Sequence, residues 1–139
     1  MGLEICRCAR FTSSRPPGNT TSIISTVRNA HGAVVSEHMV QLVKPMDMRV
    51  PAAKLSFTIA DAANTDGTID IAVSSDRVAV WVTLTTLAQG RFSDNAFFLP
   101  ATKKTIQFIP FSPSTAADDH HVLQASLRIE DFSMYRPLP

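Results

Sequence analysis

Lys54-Leu55-Ser56-Phe57-Thr58-Ile59-Ala60 alternates polar and apolar side chains, and after three residues Asn64-Thr65-Asp66-Gly67 leads into Thr68-Ile69-Asp70-Ile71-Ala72-Val73. Successive side chains of an extended strand point to opposite faces, so Leu55, Phe57 and Ile59 share one face while Lys54, Ser56 and Thr58 share the other. The first face is expected to be buried and the second wet. Asp66-Gly67 provides the positive φ angles that a tight hairpin turn demands. Residues 68–73 should therefore run back antiparallel, with Ile69, Ile71 and Val73 directed inward.

The same β pattern continues on both sides. Residues 77–87 place Val78, Val80, Val82 and Leu84 on one side and Ala79, Trp81, Thr83 and Thr85 on the other, so a central strand with Trp81 in the core is expected. Residues 104–111 alternate Ile106 and Phe108 with Thr105 and Gln107 until Pro110, which cannot donate to a sheet ladder. Residues 121–130 alternate Leu123, Ala125, Leu127 and Ile129 with polar residues and predict a last strand. Residues 97–99 form a short one. Upstream, residues 21–28 and 33–43 are two more strands joined by the polar turn Asn29-Ala30-His31-Gly32, and Lys44-Pro45 interrupts the pairing. No segment shows a sustained helical period. One-sided strands bury their apolar faces on one another, which predicts an all-β, antiparallel β-sandwich of about seven strands with extra N-terminal strands.

Composition narrows the function. The chain has 139 residues, 13 Lys+Arg against 12 Asp+Glu, a formal charge of +1 and 45% apolar residues. It is too short for a catalytic (β/α)8 barrel, which needs about 250 residues. It lacks the basic footprint that several phosphate contacts require, so no nucleic-acid partner is expected. No apolar run approaches the ~20 residues of a membrane-spanning helix, so no membrane partner is expected either. Residues 1–20 end in Ser13-Ser14-Arg15-Pro16-Pro17-Gly18-Asn19, a run of turn formers that predicts a disordered tail. Cys6 and Cys8 are too close together to form a useful disulfide framework and lack the other ligands of a zinc site. The N-terminus shows no signal-peptide pattern, which leaves the compartment open and leans toward the cytoplasm.

Little in the sequence points to catalysis. The three glutamates, Glu4, Glu37 and Glu130, fall in the tail, at a strand edge and on the solvent face of the last strand, with no sign of an acid/base pair flanking a substrate. Asp118-Asp119-His120-His121 has metal-binding side chains, but neighbours in an extended chain diverge, so a solvated loop is expected. His31 and His38 have no evident partner. No catalytic residue, cofactor or metal site is predicted. Gly90-Arg91-Phe92-Ser93-Asp94-Asn95 stands out as a turn that embeds an aromatic and an arginine directly after an apolar strand. A structural role is expected: Phe92 plugs one end of the sandwich, and Asp94 and Asn95 bond the loop backbone as Asx turns do.

Val80-Trp81-Val82-Thr83-Leu84, then Gly90-Arg91-Phe92-Ser93-Asp94-Asn95-Ala96-Phe97-Phe98-Leu99-Pro100, then Lys104-Thr105-Ile106-Gln107-Phe108-Ile109-Pro110-Phe111, resembles the C-terminal immunoglobulin-like domain of β-mannosidases. The closing Leu127-Arg128-Ile129-Glu130-Asp131-Phe132-Ser133-Met134-Tyr135 resembles the end of those enzymes, and Val35-Ser36-Glu37-His38 with Lys44-Pro45 resembles their linker into that domain. Two departures stand out: Ala96 occupies a place where the family usually has Gly, and Phe111 one where an aromatic, often Trp, is usual. The resemblance implies an immunoglobulin-like β-sandwich over residues 45–136, preceded by residues 21–44 as the end of another domain. In that family two glutamates on a (β/α)8 barrel carry out hydrolysis, and this sequence holds neither. A non-catalytic accessory or protein-interaction module is the expected function. A carbohydrate-binding module, or a fragment or subunit completing a larger glycosidase, is the alternative. Exposed strand edges recruit other strands, so residues 21–43 are expected to pair in cis, with a second copy as a homodimer, or within a larger glycosidase.

Overall fold

The structure, a computed structural model, describes residues 7–9, 22–100, 102–112 and 116–135. In chain order the strands are β1 (Arg7–Ala9), β2 (Ser22–Arg28), β3 (Val34–Gln41), β4 (Leu55–Ile59), β5 (Ile69–Ser75), β6 (Ala79–Thr85), β7 (Gly90–Phe92), β8 (Phe97–Leu99), β9 (Lys103–Pro110) and β10 (Arg128–Glu130). A 3-10 turn spans Pro45–Asp47, and two α-helices occupy Ala116–Ser126 (α1) and Phe132–Tyr135 (α2). The chain divides into two units, residues 1–49 and 50–139.

The first unit is a three-stranded antiparallel sheet in the order β1-β2-β3. Asn29 closes the β2–β3 turn: its side-chain Oδ1 accepts from the His31 and Ala33 amides, each at 3.0 Å. Gly32 sits at φ 80°, a conformation that favours glycine. Arg7–Ala9, within the stretch expected as a tail, pairs with β2; the rest of residues 1–20 lies outside the described residues. β1 and β2 are held by backbone bonds, for which turn-forming neighbours give no periodic signal.

The second unit is an antiparallel β-sandwich. One sheet runs β4-β5-β9-β7 and the other β10-β6-β8. Their apolar faces merge in one cluster, with Ile69, Ile71 and Val73 of β5, Val82 and Leu84 of β6, Leu99 of β8, and Ile106 and Phe108 of β9 all at most 1% exposed. At roughly 1.5–3 kcal/mol for each fully buried large aliphatic side chain or Phe, this cluster supplies the main driving force for folding. The hairpin between β4 and β5 turns at Asn64–Gly67, with Gly67 at φ 83° and its amide on the Asn64 carbonyl at 2.9 Å.

Three details differ from the sequence reading. The β4 strand lies at a sheet edge, so Leu55 and Ile59 are only half-buried and Phe57 is 36% exposed. Residues 116–126 form helix rather than strand. Leu123 and Leu127 are spaced both for alternate strand positions and for one helix face at i, i+4; both are buried, and the Leu127 amide reaches the Leu123 carbonyl at 2.9 Å. Asp118 and Asp119 sit in the first turn, where the helix dipole favours negative charge. Finally, β6 carries a bulge. Ala79 pairs with Leu99 and Val82 with Phe97, so three steps on β6 face two on β8. The extra residue breaks strict alternation, and both Ala79 and Val80 are buried.

Candidate functional site

The loop singled out in the sequence links the two sheets. Gly90 opens β7, and a Cβ built there would lie 2.3 Å from Phe108 Cζ and 2.6 Å from the Ile109 carbonyl oxygen. Only a residue without a side chain lets the strand approach so closely. Arg91 is exposed. Phe92 is half-buried and packs edge-on against Phe108, with ring centroids 5.7 Å apart. Ser93 extends the ladder, its amide donating to the Gln107 carbonyl at 2.8 Å and its hydroxyl accepting from the Gln107 amide at 2.9 Å. Asp94 pairs with Lys104 at 2.6 Å, and the Lys104 ammonium lies 4.4 Å from the Phe97 ring centroid.

Asn95 acts as a substitute strand. Its Oδ1 accepts from the Leu84 amide at 2.8 Å and its Nδ2 donates to the Leu84 carbonyl at 3.0 Å, the two backbone groups a neighbouring strand would serve. The Ala96 amide also donates to Oδ1, at 3.0 Å. Ala96 itself is held at φ 57°, in the left-handed region that L side chains rarely adopt.

Trp81 is placed differently from the expected core position. The bulge holds it at φ 54°, an outlier for so large a residue, and leaves its side chain half-exposed. Its ring lies 5.1 Å from that of Phe132 at 86°, edge to face. Together with Thr83, Glu130, Asp131 and Tyr135, the two rings line a cavity of about 210 Å³. Thr83 Oγ1 donates to the Trp81 carbonyl at 3.1 Å, which ties down the bulge. β10 contributes Glu130, whose Oε1 accepts from Arg128 Nη2 at 3.1 Å and whose Oε2 accepts the Tyr135 hydroxyl. That phenolic bond to Glu130 holds the Tyr135 hydroxyl above its usual pKa of 10.0.

Asp131 lies between β10 and α2 and is 1% exposed. Its Oδ1 accepts the Ser133 hydroxyl at 2.8 Å, and its Oδ2 makes no hydrogen bond among the described residues. Buried side-chain oxygens are normally paired, so this one calls for a physical reason. Sequence reading placed Glu130 on a solvent face and gave no role to Asp131 or Tyr135. Their convergence depends on the bulge at Trp81, which no local motif announces.

The acidic and histidine pairs are absorbed by α1. Asp119 is 5% exposed, and its Oδ1 accepts from the Gln89 amide at 2.9 Å. His120 Nε2 donates to the Ala60 carbonyl at 2.8 Å. They are helix-borne ties rather than the expected loop, because the helix separates neighbouring side chains by about 100° and sends these two to different partners. His31 and His38 are exposed in the β2–β3 turn and on β3. Among the described residues, no group of three or more His, Cys, Asp and Glu is arranged to hold a metal ion.

The described residues contain an Ig-like domain and no (β/α)8 barrel. No curated protein matches the chain. Residues 51–133 match the Ig_mannosidase family model, described as an Ig-fold domain. This range runs from just before β4 through β10 and takes in the bulge, the Gly90–Asn95 loop and Asp131. With more than half its length matched and the antiparallel sandwich in place, the chain belongs to the Ig_mannosidase family of Ig-fold domains.

Proposed function

We infer that this chain is a non-catalytic, mannosidase-type Ig module that acts through contact with other protein, as an accessory or interaction domain, and that its first unit pairs with a second copy. The observation that carries this reading is the composition of β2 and β3. Register places Ile23 opposite Val40, and both are more than 40% exposed. Val27, Val34, Val35 and Leu42 are exposed as well, Val35 to 66%. None of the described side chains of β2 and β3 is buried.

A three-stranded sheet with apolar side chains in water lacks the covered face that stabilises such sheets. The outer edge of β3 pairs with no described strand, and its backbone donors and acceptors are a template for another β3. Two copies related by a two-fold axis would pair β3 with β3 antiparallel, the simplest closed arrangement. Sedimentation of the full chain between about 1 and 100 μM tests this, a span chosen to bracket micromolar affinity. A concentration-dependent dimer is expected, and Val35→Lys should shift it to monomer because edge lysines block pairing. A monomer at every concentration would refute self-pairing.

A further inference from the structure

The cavity at Trp81 combines two features that are costly apart and complementary together. Asp131 is buried with an unpartnered oxygen, and among the described residues it has no ion-pair partner. Glu130 beside it is already engaged by Arg128 and by the Tyr135 hydroxyl. A carboxylate taken out of water without a counter-charge is among the most expensive groups to bury. Around it stand the rings of Trp81, Phe132 and Tyr135, whose π faces attract cations within about 6 Å of the centroid.

The geometry points to an organic cation as the occupant of this cavity, namely the lysine or arginine side chain of a protein partner, held by the three rings with Asp131 as its buried counter-charge. The aliphatic stem of such a side chain lies along apolar walls while its head meets the acidic end. Asp131 acts through low-dielectric protein rather than through water, so its field reaches the cavity without direct contact. A divalent metal requires six or more oxygen ligands for calcium, or near-ideal octahedral geometry for magnesium, and the described residues offer no such set. A neutral sugar satisfies hydrogen bonds but leaves the charge uncompensated. The source of the cation rests on the interaction-module reading; the cavity's preference for positive charge does not.

The chain has a single tryptophan, so its fluorescence and its indole Nε1–H resonance report on this cavity alone. The probes are Nα-acetyl-arginine and Nα-acetyl-lysine N-methylamides, with the neutral citrulline analogue and methyl mannoside as comparators. Saturable changes at Trp81 with at least one cationic probe in the millimolar range are expected, with at least tenfold weaker response to citrulline. Asp131→Asn should weaken binding about tenfold, which is about 1.4 kcal/mol. Tyr135→Ala, which removes an exposed ring and leaves the core untouched, should weaken it several-fold and guards against misfolding of the first variant. Failure of both cationic probes, equal binding of citrulline, tighter binding of the mannoside, or unchanged affinity in Tyr135→Ala would each overturn the inference. A monomer in sedimentation would refute self-pairing and leave probe binding unaffected.

Discussion

Adding one methyl group at Gly90 tests whether the Gly90–Asn95 loop is built by close packing. An alanine Cβ there meets Phe108 Cζ at 2.3 Å, the Ile109 carbonyl oxygen at 2.6 Å and Phe108 Cε2 at 2.7 Å, where ordinary contact begins near 3.4 Å. Phe108 is fully buried in the middle of the core cluster and packs edge-on against Phe92, so its ring has little room to retreat. The carbonyl belongs to β9, which pairs with both β7 and β5, so moving it disturbs two ladders. Overpacking of this kind costs about 1–3 kcal/mol, against about 0.4–1 kcal/mol gained because alanine restricts the unfolded chain. The net expectation for Gly90→Ala is roughly 1–2 kcal/mol of destabilisation, or a fall in Tm of about 4–16 °C for a domain of this size. Urea unfolding followed by Trp81 fluorescence measures it. Phe108→Leu is the control: the methyl should cost less in that background, because part of the clash is gone while the carbonyl contact persists. A Gly90→Ala protein within 0.5 kcal/mol of wild type would refute the close-packing account, since that is the scatter of neutral surface changes.

At Ala96 the opposite change is expected to help: Ala96→Gly relieves a left-handed alanine costing about 1–2 kcal/mol but loosens the unfolded chain, for a net gain of roughly 0.5–1 kcal/mol in the same urea assay. Asn95→Ala leaves the amide and carbonyl of Leu84 without partners and should cost about 2 kcal/mol or more, with faster hydrogen exchange at the Leu84 amide. The Asp66 carboxyl is held below its ordinary value of 3.8, first by the Thr68 hydroxyl at 2.7 Å and then by the Thr68 amide at 3.0 Å. A lowered folded value means its stabilisation is present above pH 3.8 and is lost as the pH falls through the lowered value. In Thr68→Val the carboxyl carbon resonance of Asp66 should titrate closer to 3.8.

Where side-chain period and local turn chemistry agreed, the fold was legible. Leu55–Ile59 and Ile69–Ser75 pair about the Asn64–Gly67 turn, where Gly67 alone takes the positive φ that the sequence reading expected of the Asp66-Gly67 pair. Within the strand expected over residues 121–130, alternation held for Arg128–Glu130 and failed at 121–126, because Leu123 and Leu127 fit both a strand with period two and a helix with period near four. The good helix formers and early acids around them decided for helix, and Leu127 ends it against the core. The resemblance marked Ala96 as a departure from glycine, and the φ of 57° supplies the physical content of that difference.

The cavity was illegible for a more general reason. Strand alternation assigns each side chain to a face, and one inserted residue puts the residues before it and those after it out of step. In β6 the insertion falls between Ala79 and Val82: Val80, Val82 and Leu84 stay buried, Ala79 joins them, and Trp81 packs against Phe132 outside the expected core. A left-handed tryptophan costs free energy, and so does a buried carboxylate oxygen without a partner. Two such costs meeting at one cavity is what a binding site looks like before its ligand arrives, whereas the costs at Gly90 and Ala96 concern backbone fit within a loop. Stability and recognition therefore separate within one domain. Asp131→Asn should leave urea stability unchanged or raised, because it removes an unpaired charge while keeping the Ser133 bond, and should still weaken binding of the cationic probe about tenfold. Loss of stability and of probe binding together would mean that Asp131 is structural, and the cavity only a by-product of the bulge.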